Sequence, residues 1–91
     1  MKYQIEMTSR FKKDYKLSIK RGCNPELLKE VINILANGEP LPEKYRDHEL
    51  SGNWSGYREC HVQPDWLLIY KIKSSILVLM LARTGTHNDL F

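Results

Sequence analysis

The pattern of hydrophobic and polar residues along the chain predicts a short strand, two helices and then three strands. Residues 3–7 alternate between the two classes, as a half-buried strand does. Apolar residues then recur at helical spacing in two segments, and two later runs are almost continuously apolar, as central strands are. The predicted elements are a strand at 3–7, helices at about 9–21 and 25–37, and strands at about 56–62, 67–72 and 76–82.

Both predicted helices have recognisable ends. Thr8 or Ser9 can cap the first helix, and Gly22 can end it. Asn24 followed by Pro25 is a strong start signal for the second helix. The helices are expected to bury two stripes, formed by Phe11, Tyr15 and Ile19 and by Leu27, Leu28, Val31, Ile34 and Leu35.

The order of the elements predicts the fold class. Residues 39–55 are expected to be irregular, because prolines, a glycine and charged clusters interrupt the apolar pattern. The remaining order, β-α-α-β-β-β, predicts an α+β fold in which an antiparallel sheet carries the two N-terminal helices on one face. The 91 residues are expected to form a single domain, 1–91, with one modest core.

Positive charge is concentrated near the start of the chain. The formal net charge is +3, and residues 1–30 carry eight Lys and Arg against four Asp and Glu. Such a cluster favours a polyanionic partner, RNA above all, and a solvated helix face is the competing interpretation. The cluster consists of Arg10, Lys12, Lys13, Lys16, Lys20 and Arg21.

The cysteines and the hydropathy indicate the compartment. Cys23 and Cys60 lack the close spacing of a redox or zinc motif. No signal-peptide pattern and no apolar run of bilayer length is found, so a cytoplasmic protein with reduced thiols and no membrane partner is expected. A single disulfide stays open as an alternative that nothing in the sequence favours.

All three histidines, His48, His61 and His87, lie in polar stretches that interrupt or follow the most apolar segments. Histidine is the natural proton carrier near neutral pH. In the second hairpin, pairing of Ile72 with Ile76 would place Asp65 opposite Arg83. In the first, pairing of Val62 with Leu67 would place His61 opposite Leu68. Four residues are therefore expected at one end of the sheet: His61, Asp65, Trp66 and Arg83.

This set of side chains suits RNA cleavage by attack of the 2′-hydroxyl on the adjacent phosphate. His and Asp can supply the base and the acid, and an arginine fork can hold the phosphorane. Trp66 and Phe91 can stack on unpaired bases. No metal is required for this chemistry.

Other interpretations of the same residues stay open. The histidines and Asp65 could bind zinc, although no cysteine ligand or His-x-x-x-His pair accompanies them. Trp66 could simply fill the end of a hairpin, and Asp65 after Pro64 is a natural turn residue. Arg83 could pair with Asp65, and Phe91 could fray as the last residue.

Three stretches carry a recognisable pattern: DHELSGNW at 47–54, GYRECHVQPDWLLIY at 56–70, and RTGTH at 83–87 with LF at 90–91. They resemble the YafQ branch of the RelE/ParE toxin superfamily of bacterial toxin–antitoxin systems, and the resemblance extends over essentially the whole chain. It implies a RelE-like fold and a ribosome-dependent endoribonuclease that cuts mRNA in the decoding A site. It also implies a DinJ/RelB-like antitoxin, with operator DNA bound only through the antitoxin complex. Neither a cofactor nor a metal is expected.

The resemblance also assigns roles to particular residues. Its functional positions fall on His48, His61, Asp65, Arg83, His87 and Phe91. We expect His87 to protonate the leaving group, His48 or Asp65 to act as base, and Arg83 to stabilise the phosphorane. His61 is expected to position the phosphate or to share the proton relay. The basic first helix, through Lys12, Lys13 and Lys16, is expected to grip ribosomal RNA. Glu59 and Cys60 are given no function.

Two other functions are compatible with the fold. ParE-like relatives inhibit DNA gyrase without catalysis, and a module with a decayed site would only bind an antitoxin. Convergent proton carriers disfavour the first and the intact motifs disfavour the second.

Overall fold

The computed structural model describes residues 1–91 and confirms the predicted order of the main elements. They are β1 (Gln4–Met7), α1 (Ser9–Lys20), α2 (Pro25–Ala36), β2 (His48–Glu49), β3 (Arg58–Gln63), β4 (Trp66–Lys73), β5 (Val78–Gly85) and α3 (His87–Leu90). Single 3₁₀ turns lie at Glu43–Tyr45, Gly52–Trp54 and Ser74–Ile76. None of the helices is both long enough and apolar enough to span a membrane.

The two long helices begin at the predicted caps. The Thr8 hydroxyl accepts the backbone N–H of Phe11, and the Asn24 side chain accepts that of Glu26, both at 3.0 Å. The predicted stripe of α1 is wrong at its end, because Ile19 is exposed.

The five strands form one mixed sheet in the order β1-β5-β4-β3-β2. The expected antiparallel pairing holds for β2 to β5, but β1 runs parallel to β5. The first strand therefore lies at the edge of the sheet beside the last strand and in the same direction. Residues 48–49, expected to be irregular, form the edge strand β2.

The predicted hairpin registers are wrong. Leu77 adopts a left-handed conformation with φ of 53° after a 3₁₀ turn, so Lys73 pairs with Val78 and the turn is longer than expected. With a further irregularity in β4–β5 pairing, Arg83 lies opposite Ile69 and not opposite Asp65.

The first hairpin is shifted by one residue. His61 pairs with Leu67 instead of Leu68, because a bulge near the end of β3 absorbs one residue. Since a shift of one residue exchanges the two faces of a strand, it decides which side chains can join His61.

The sheet has a different covering on each face. One face carries α1 and α2 over the main core, which includes Phe11, Val31, Cys60, Leu68 and Leu79. The other face carries a smaller cluster formed by Leu67, Ile69, Ala82 and Leu90 under residues Leu50, Trp54 and Tyr57. Strand β4 is buried on both faces from Trp66 to Tyr70, as predicted for a central strand.

Candidate active site

One cross-strand row brings together residues from four strands. His48 pairs with Glu59, Glu59 with Ile69, and Ile69 with Arg83. Directly paired residues point to the same face of a sheet, and strands lie about 4.8 Å apart, so the row spans roughly 14 Å. The row therefore places a histidine at one end and an arginine at the other, on the face opposite the long helices.

The neighbouring row adds the second histidine and the start of the C-terminal helix. His61 pairs with Leu67, which pairs with Gly85, two residues before His87. A Cβ atom at Gly85 would lie 3.0 Å from the Asp89 carboxylate, so glycine lets α3 pack closely against β5. His61 and the segment that leads to His87 thus lie at the same end of the sheet, in a register that differs from the predicted one.

Glu59 lies between the two histidines of these rows, although none of the sequence motifs assigns it a role. Its Oε1 atom is 3.4 Å from Nε2 of His48 and 3.8 Å from Nε2 of His61. The residue is 5% exposed, and its Oε2 atom is buried without a hydrogen-bond partner. Its position two residues before His61 in a strand, hence on the same face, was the signal that sequence analysis missed.

The other ring nitrogen of each histidine faces a backbone carbonyl. Nδ1 of His48 is 2.8 Å from the oxygen of Arg46, and Nδ1 of His61 is 3.3 Å from the oxygen of Pro64. A carbonyl oxygen only accepts hydrogen bonds, so both contacts require a proton on Nδ1. The ring centroids lie 6.3 Å apart, which makes the two histidines close neighbours.

Arg83 pairs with Asp14 of α1 and not with Asp65. Its Nε and Nη2 atoms donate to the two Asp14 oxygens at 2.7 and 3.1 Å. The backbone N–H of Thr84 also donates to Asp14 at 3.2 Å, beyond the point where β1 stops pairing with β5. The hydrogen bonds to Asp14 raise the pKa of Arg83 above its usual range, so the guanidinium stays charged.

This pairing engages only one side of the guanidinium. A guanidinium has five N–H donors, and Asp14 occupies one on Nε and one on Nη2. The end that carries Nη1 keeps three donors in the planar geometry that fits phosphate oxygens. Asp14 therefore orients Arg83 and leaves its outer end free.

Asp65 connects the β3–β4 turn to α3. Its Oδ1 atom accepts the backbone N–H of His87 at 3.2 Å, and the rest of the exposed carboxylate is unengaged. Thr86 and Asp89 close a reciprocal capping box at the start of the same helix. These contacts hold the exposed side chain of His87 beside the turn that carries Asp65.

Phe91 is tied to the end of α3 by its backbone and its ring. Its backbone N–H donates to the His87 carbonyl at 2.9 Å, and its ring centroid lies 5.2 Å from that of His87. The side chain is 53% exposed, so one face is available to a base.

Trp66 and the lysines of the basic helix lie away from the two cross-strand rows. Trp66 is 3% exposed within the main core, so the prediction that it stacks on a base is wrong and the packing interpretation holds. Lys12 and Lys16 line a groove between α1, α2 and β1, on the side of α1 away from Asp14. Lys13 is exposed on the same helix.

The loop that carries His48 is fixed by a charged network. Asp47 accepts hydrogen bonds from Arg58 at 3.1 Å and from the hydroxyl of Tyr70. Hydrogen bonding to Asp47 raises the pKa of Arg58, and burial raises that of Tyr70, so both side chains keep their protons. His48 is thereby held by its neighbour in sequence as well as by its strand.

The sequence left two alternatives open, a single disulfide and a zinc site. Cys23 and Cys60 are both free thiols, and burial raises the pKa of Cys60. No group of three or more His, Cys, Asp or Glu side chains has an arrangement that could hold a metal ion.

Comparison with known proteins identifies close relatives. The sequence profile described as bacterial toxin of type II toxin-antitoxin system, YafQ, matches residues 3–91. The chain is 47% identical to the mRNA interferase toxin YafQ of Escherichia coli strain K12 over 88 residues, which are 96% of this chain and 94% of that protein.

Two solved structures show the same architecture. The toxin in the crystal structure of the E. coli DinJ–YafQ complex is 46% identical, with a TM-score of 0.89 and 98% of each chain covered. A metal-bound toxin from Helicobacter pylori is 44% identical, with a TM-score of 0.92, and 98% of this chain and 99% of that one are covered.

Proposed function

Because this chain belongs to the YafQ family of toxins of type II toxin–antitoxin systems, we propose that it is a ribosome-dependent endoribonuclease that cuts mRNA in the A site. The whole chain acts as one toxin domain in the cytoplasm, where it stops translation. The relative with 47% identity is named an mRNA interferase, which supports this activity class.

The observation that carries the proposal is the sheet face opposite the long helices, with its two cross-strand rows. Two histidines, a buried carboxylate and an arginine with a free outer end lie on this face, and His87 adjoins it. These groups meet the needs of 2′-hydroxyl attack, which are proton transfer in both directions and a cation at the phosphate.

The hydrogen bonds favour one assignment of acid and base. Both ring nitrogens of His48 already have oxygen neighbours in the protein, the Arg46 carbonyl at Nδ1 and Glu59 near Nε2. Asp65 has an exposed and partly unengaged carboxylate, which makes it the base that removes the 2′ proton. His87, whose ring has no hydrogen-bond partner, protonates the leaving 5′ oxygen.

The remaining residues bind the substrate. The outer end of Arg83 donates to the non-bridging phosphate oxygens and stabilises the phosphorane. His61 positions the phosphate from the neighbouring row, and Phe91 stacks on an unpaired base. Lys12, Lys13 and Lys16 bind ribosomal RNA away from this centre.

The partner that neutralises this toxin is a DinJ/RelB-like antitoxin. The complex of the E. coli relative with DinJ supports this class of partner. Operator DNA is contacted only through the antitoxin complex.

A translating extract tests the activity. Purified protein should produce new mRNA ends within translated codons, and His87→Ala should reduce the cleavage rate by about 10²–10⁴-fold. Asn88→Ala, one residue further along the same exposed helix, is the matched control and should cut normally. Arrest of translation with intact mRNA would contradict the proposal, and inhibition of DNA supercoiling under those conditions would favour the gyrase alternative.

A zinc-selective chelator tests the independence from metal that we propose. Cleavage should continue in its presence, while the magnesium that ribosomes need is retained. Loss of cutting that added zinc restores would make a metal part of the reaction. The chelator experiment is informative because the structure of a similar toxin from H. pylori is metal-bound.

A further inference from the structure

We propose that a polar groove at the edge of the sheet binds the mRNA strand on the upstream, 5′ side of the cut, with Lys44 and Arg46 contacting its phosphates. This subsite rests on the proposed endoribonuclease function, because it extends the same site. The groove has a volume of about 420 Å³, within the range of small-ligand sites. It lies between α2, the 3₁₀ turn at Glu43–Tyr45 and the end of β3, and its lining includes Leu27, Glu30, Lys44, Arg46, His61 and Gln63.

The groove is continuous with the candidate active site. His61 lines the groove, and its Nε2 atom is 3.8 Å from Glu59 of the cross-strand row. Arg46 also lines the groove, while its backbone carbonyl lies 2.8 Å from Nδ1 of His48. Strand β2 pairs only with Arg58 and Glu59 of β3, so no strand covers that edge of the sheet at His61. An RNA strand that leaves the site at His61 therefore enters the groove directly.

The two cations of the groove are not neutralised inside the protein. Lys44 and Arg46 are exposed, and neither forms an ion pair. They flank Tyr45, which is buried and anchors the turn, and Nζ of Lys44 lies 5.0 Å from the centre of its ring. A positively charged groove that follows the backbone is a usual way of holding single-stranded RNA, so phosphate is the ligand that this charge fits.

The order of the strands gives the direction of the RNA. His87 follows β5, Asp65 lies in the turn between β3 and β4, and the groove lies beyond β3. In the proposed reaction His87 protonates the 5′ oxygen of the downstream nucleotide, and Asp65 takes the 2′ proton of the upstream nucleotide. The strand therefore runs upstream from α3 across the end of the sheet towards the groove.

A double variant, Lys44→Gln with Arg46→Asn, tests the groove in the cleavage assay. Asparagine tolerates the left-handed backbone of Arg46, where φ is 50°, so the guanidinium is removed without new strain. KM for programmed ribosomes should rise about 3- to 30-fold and kcat should stay within about twofold, because these contacts lie away from the reacting atoms. Lys2→Gln with Lys73→Gln removes the same charge elsewhere and should leave KM within about twofold. An equal rise in both double variants would overturn the proposal.

A single uncharged methylphosphonate linkage in the mRNA distinguishes messenger phosphates from ribosomal phosphates. At one of the two phosphates upstream of the cut, it should raise KM of the unaltered protein about 3- to 30-fold and that of the double variant less than about twofold, because that contact is already lost. A linkage effect of the same size in both proteins would overturn the proposal. So would no linkage effect in the unaltered protein, which would assign the two cations to ribosomal RNA.

Glu30 provides a test of the sign of the ligand's charge. It lies on the α2 wall of the groove and repels a phosphate there, which favours the opposite wall for the RNA backbone. Glu30→Gln should therefore leave KM unchanged or lower it. A higher KM in this variant would mean that the groove takes a positively charged or hydrogen-donating ligand, contrary to the proposal.

Binding to the free protein separates this subsite from the proposed function. A 2′-O-methyl RNA trinucleotide, which lacks the attacking hydroxyl, should shift the NMR amide signals of Lys44 and Gln63 but not that of Ile76, in the turn at the other end of β4. The shifts should disappear in the double variant, whose folding is checked by circular dichroism. Unshifted signals at Lys44 and Gln63 would overturn the subsite. If the unaltered protein cuts no mRNA, the proposed function fails, and these spectra still decide whether the groove binds RNA.

Discussion

Arg83 depends on a partner 69 residues away in the chain. The Asp14 side chain is 14% exposed and that of Arg83 is 16% exposed, so water screens their pairing only weakly. The two hydrogen bonds fix the plane of the guanidinium, and the third, from Thr84, ties the same carboxylate to the edge of β5. Asp14 thus combines a structural function with the orientation of the group that we propose to bind phosphate.

We expect Asp14→Asn to weaken both functions. An amide can replace only one of the two accepting oxygens, so the variant should lose about 1–3 kcal/mol of unfolding free energy. Its cleavage rate should fall at least about tenfold, because Arg83 is no longer held in one plane. Denaturant unfolding and single-turnover cleavage measure the two effects.

Asp14→Glu and Arg83→Lys serve as the comparisons. Arg83→Lys keeps the charge but cannot bind Asp14 and a phosphate at once, so its turnover should fall further than that of Asp14→Asn. The longer carboxylate of Asp14→Glu should restore part of the stability. A folded Asp14→Asn variant with normal cleavage would show that Arg83 needs no orientation by α1.

At the scale of elements, α3 is the part of the site that is easiest to detach. It has only four residues, too few to be stable alone, and it carries both His87 and Phe91. Asp89 attaches α3 in two ways. It exchanges hydrogen bonds with Thr86 in the capping box, and it forms an ion pair with Arg21 at 2.6 Å. The Arg21 hydrogen bond is the main reason that the pKa of Asp89 is lowered to about 2.

The attachment of α3 should therefore be lost in acid. A carboxyl group with a lowered pKa stabilises the folded state fully above its ordinary value of 3.8, and this stabilisation disappears as the pH falls towards about 2. Over that range, amide exchange at Leu90 and Phe91 should accelerate before exchange at Leu79 in the core. Parallel acceleration at all three amides would indicate global unfolding instead.

Variants separate the cap from the ion pair. Asp89→Ala should expose the α3 amides already at neutral pH, because it removes the oxygen that accepts the Thr86 N–H, at a cost of about 0.3–1.5 kcal/mol. Arg21→Gln should have a smaller effect, because an exposed ion pair contributes little. Equal effects would mean that the ion pair, and not the capping box, holds the helix.

The order of the elements could be predicted from the sequence, but their pairing could not. Caps at Thr8 and Asn24 and the apolar runs are local signals, and they gave correct helices and central strands. Register depends on single residues in turns, and the left-handed Leu77 has no side-chain signal for that conformation. The partnership of Asp14 with Arg83 lies outside any local pattern, because it joins the first helix to the last strand.

The residues of the candidate site also divide into those with a local sequence signal and those without one. The motifs identified His48, His61, Asp65 and His87, whose side chains commonly act as proton donors and acceptors. Glu59 was missed because a glutamate in a strand is normally a solvent-facing residue, and only the two-sided burial of the sheet makes it unusual.

At the scale of the whole molecule, the proposed cleavage site and the basic helix face different directions. The histidine rows occupy the sheet face opposite the long helices, whereas Lys12 and Lys16 line the groove between α1, α2 and β1. Only Asp14, on the other side of α1, reaches the catalytic side. RNA contacts by the lysines should therefore affect binding to the ribosome without altering the chemical step.

The triple variant Lys12→Glu, Lys13→Glu and Lys16→Glu tests this separation. It shifts the formal net charge by six units, from +3 to −3, and should weaken co-sedimentation with ribosomes. If the three lysines contact RNA phosphates, the logarithmic dependence of affinity on salt should become shallower by about 2–3 units. The cleavage rate at saturating ribosome concentration should stay within about twofold, because the phosphate-binding end of Arg83 is unchanged.

A charge-matched control decides whether position or net charge matters. Lys2→Glu, Lys71→Glu and Lys73→Glu together produce the same net charge from positions outside the groove that Lys12 and Lys16 line. Long-range attraction alone would give both triple variants the same loss of affinity and the same salt slope. A loss confined to the α1 variant would assign the contact to that helix, whereas ribosome binding unaffected in both would remove the basic helix from the mechanism and leave the solvated-face interpretation.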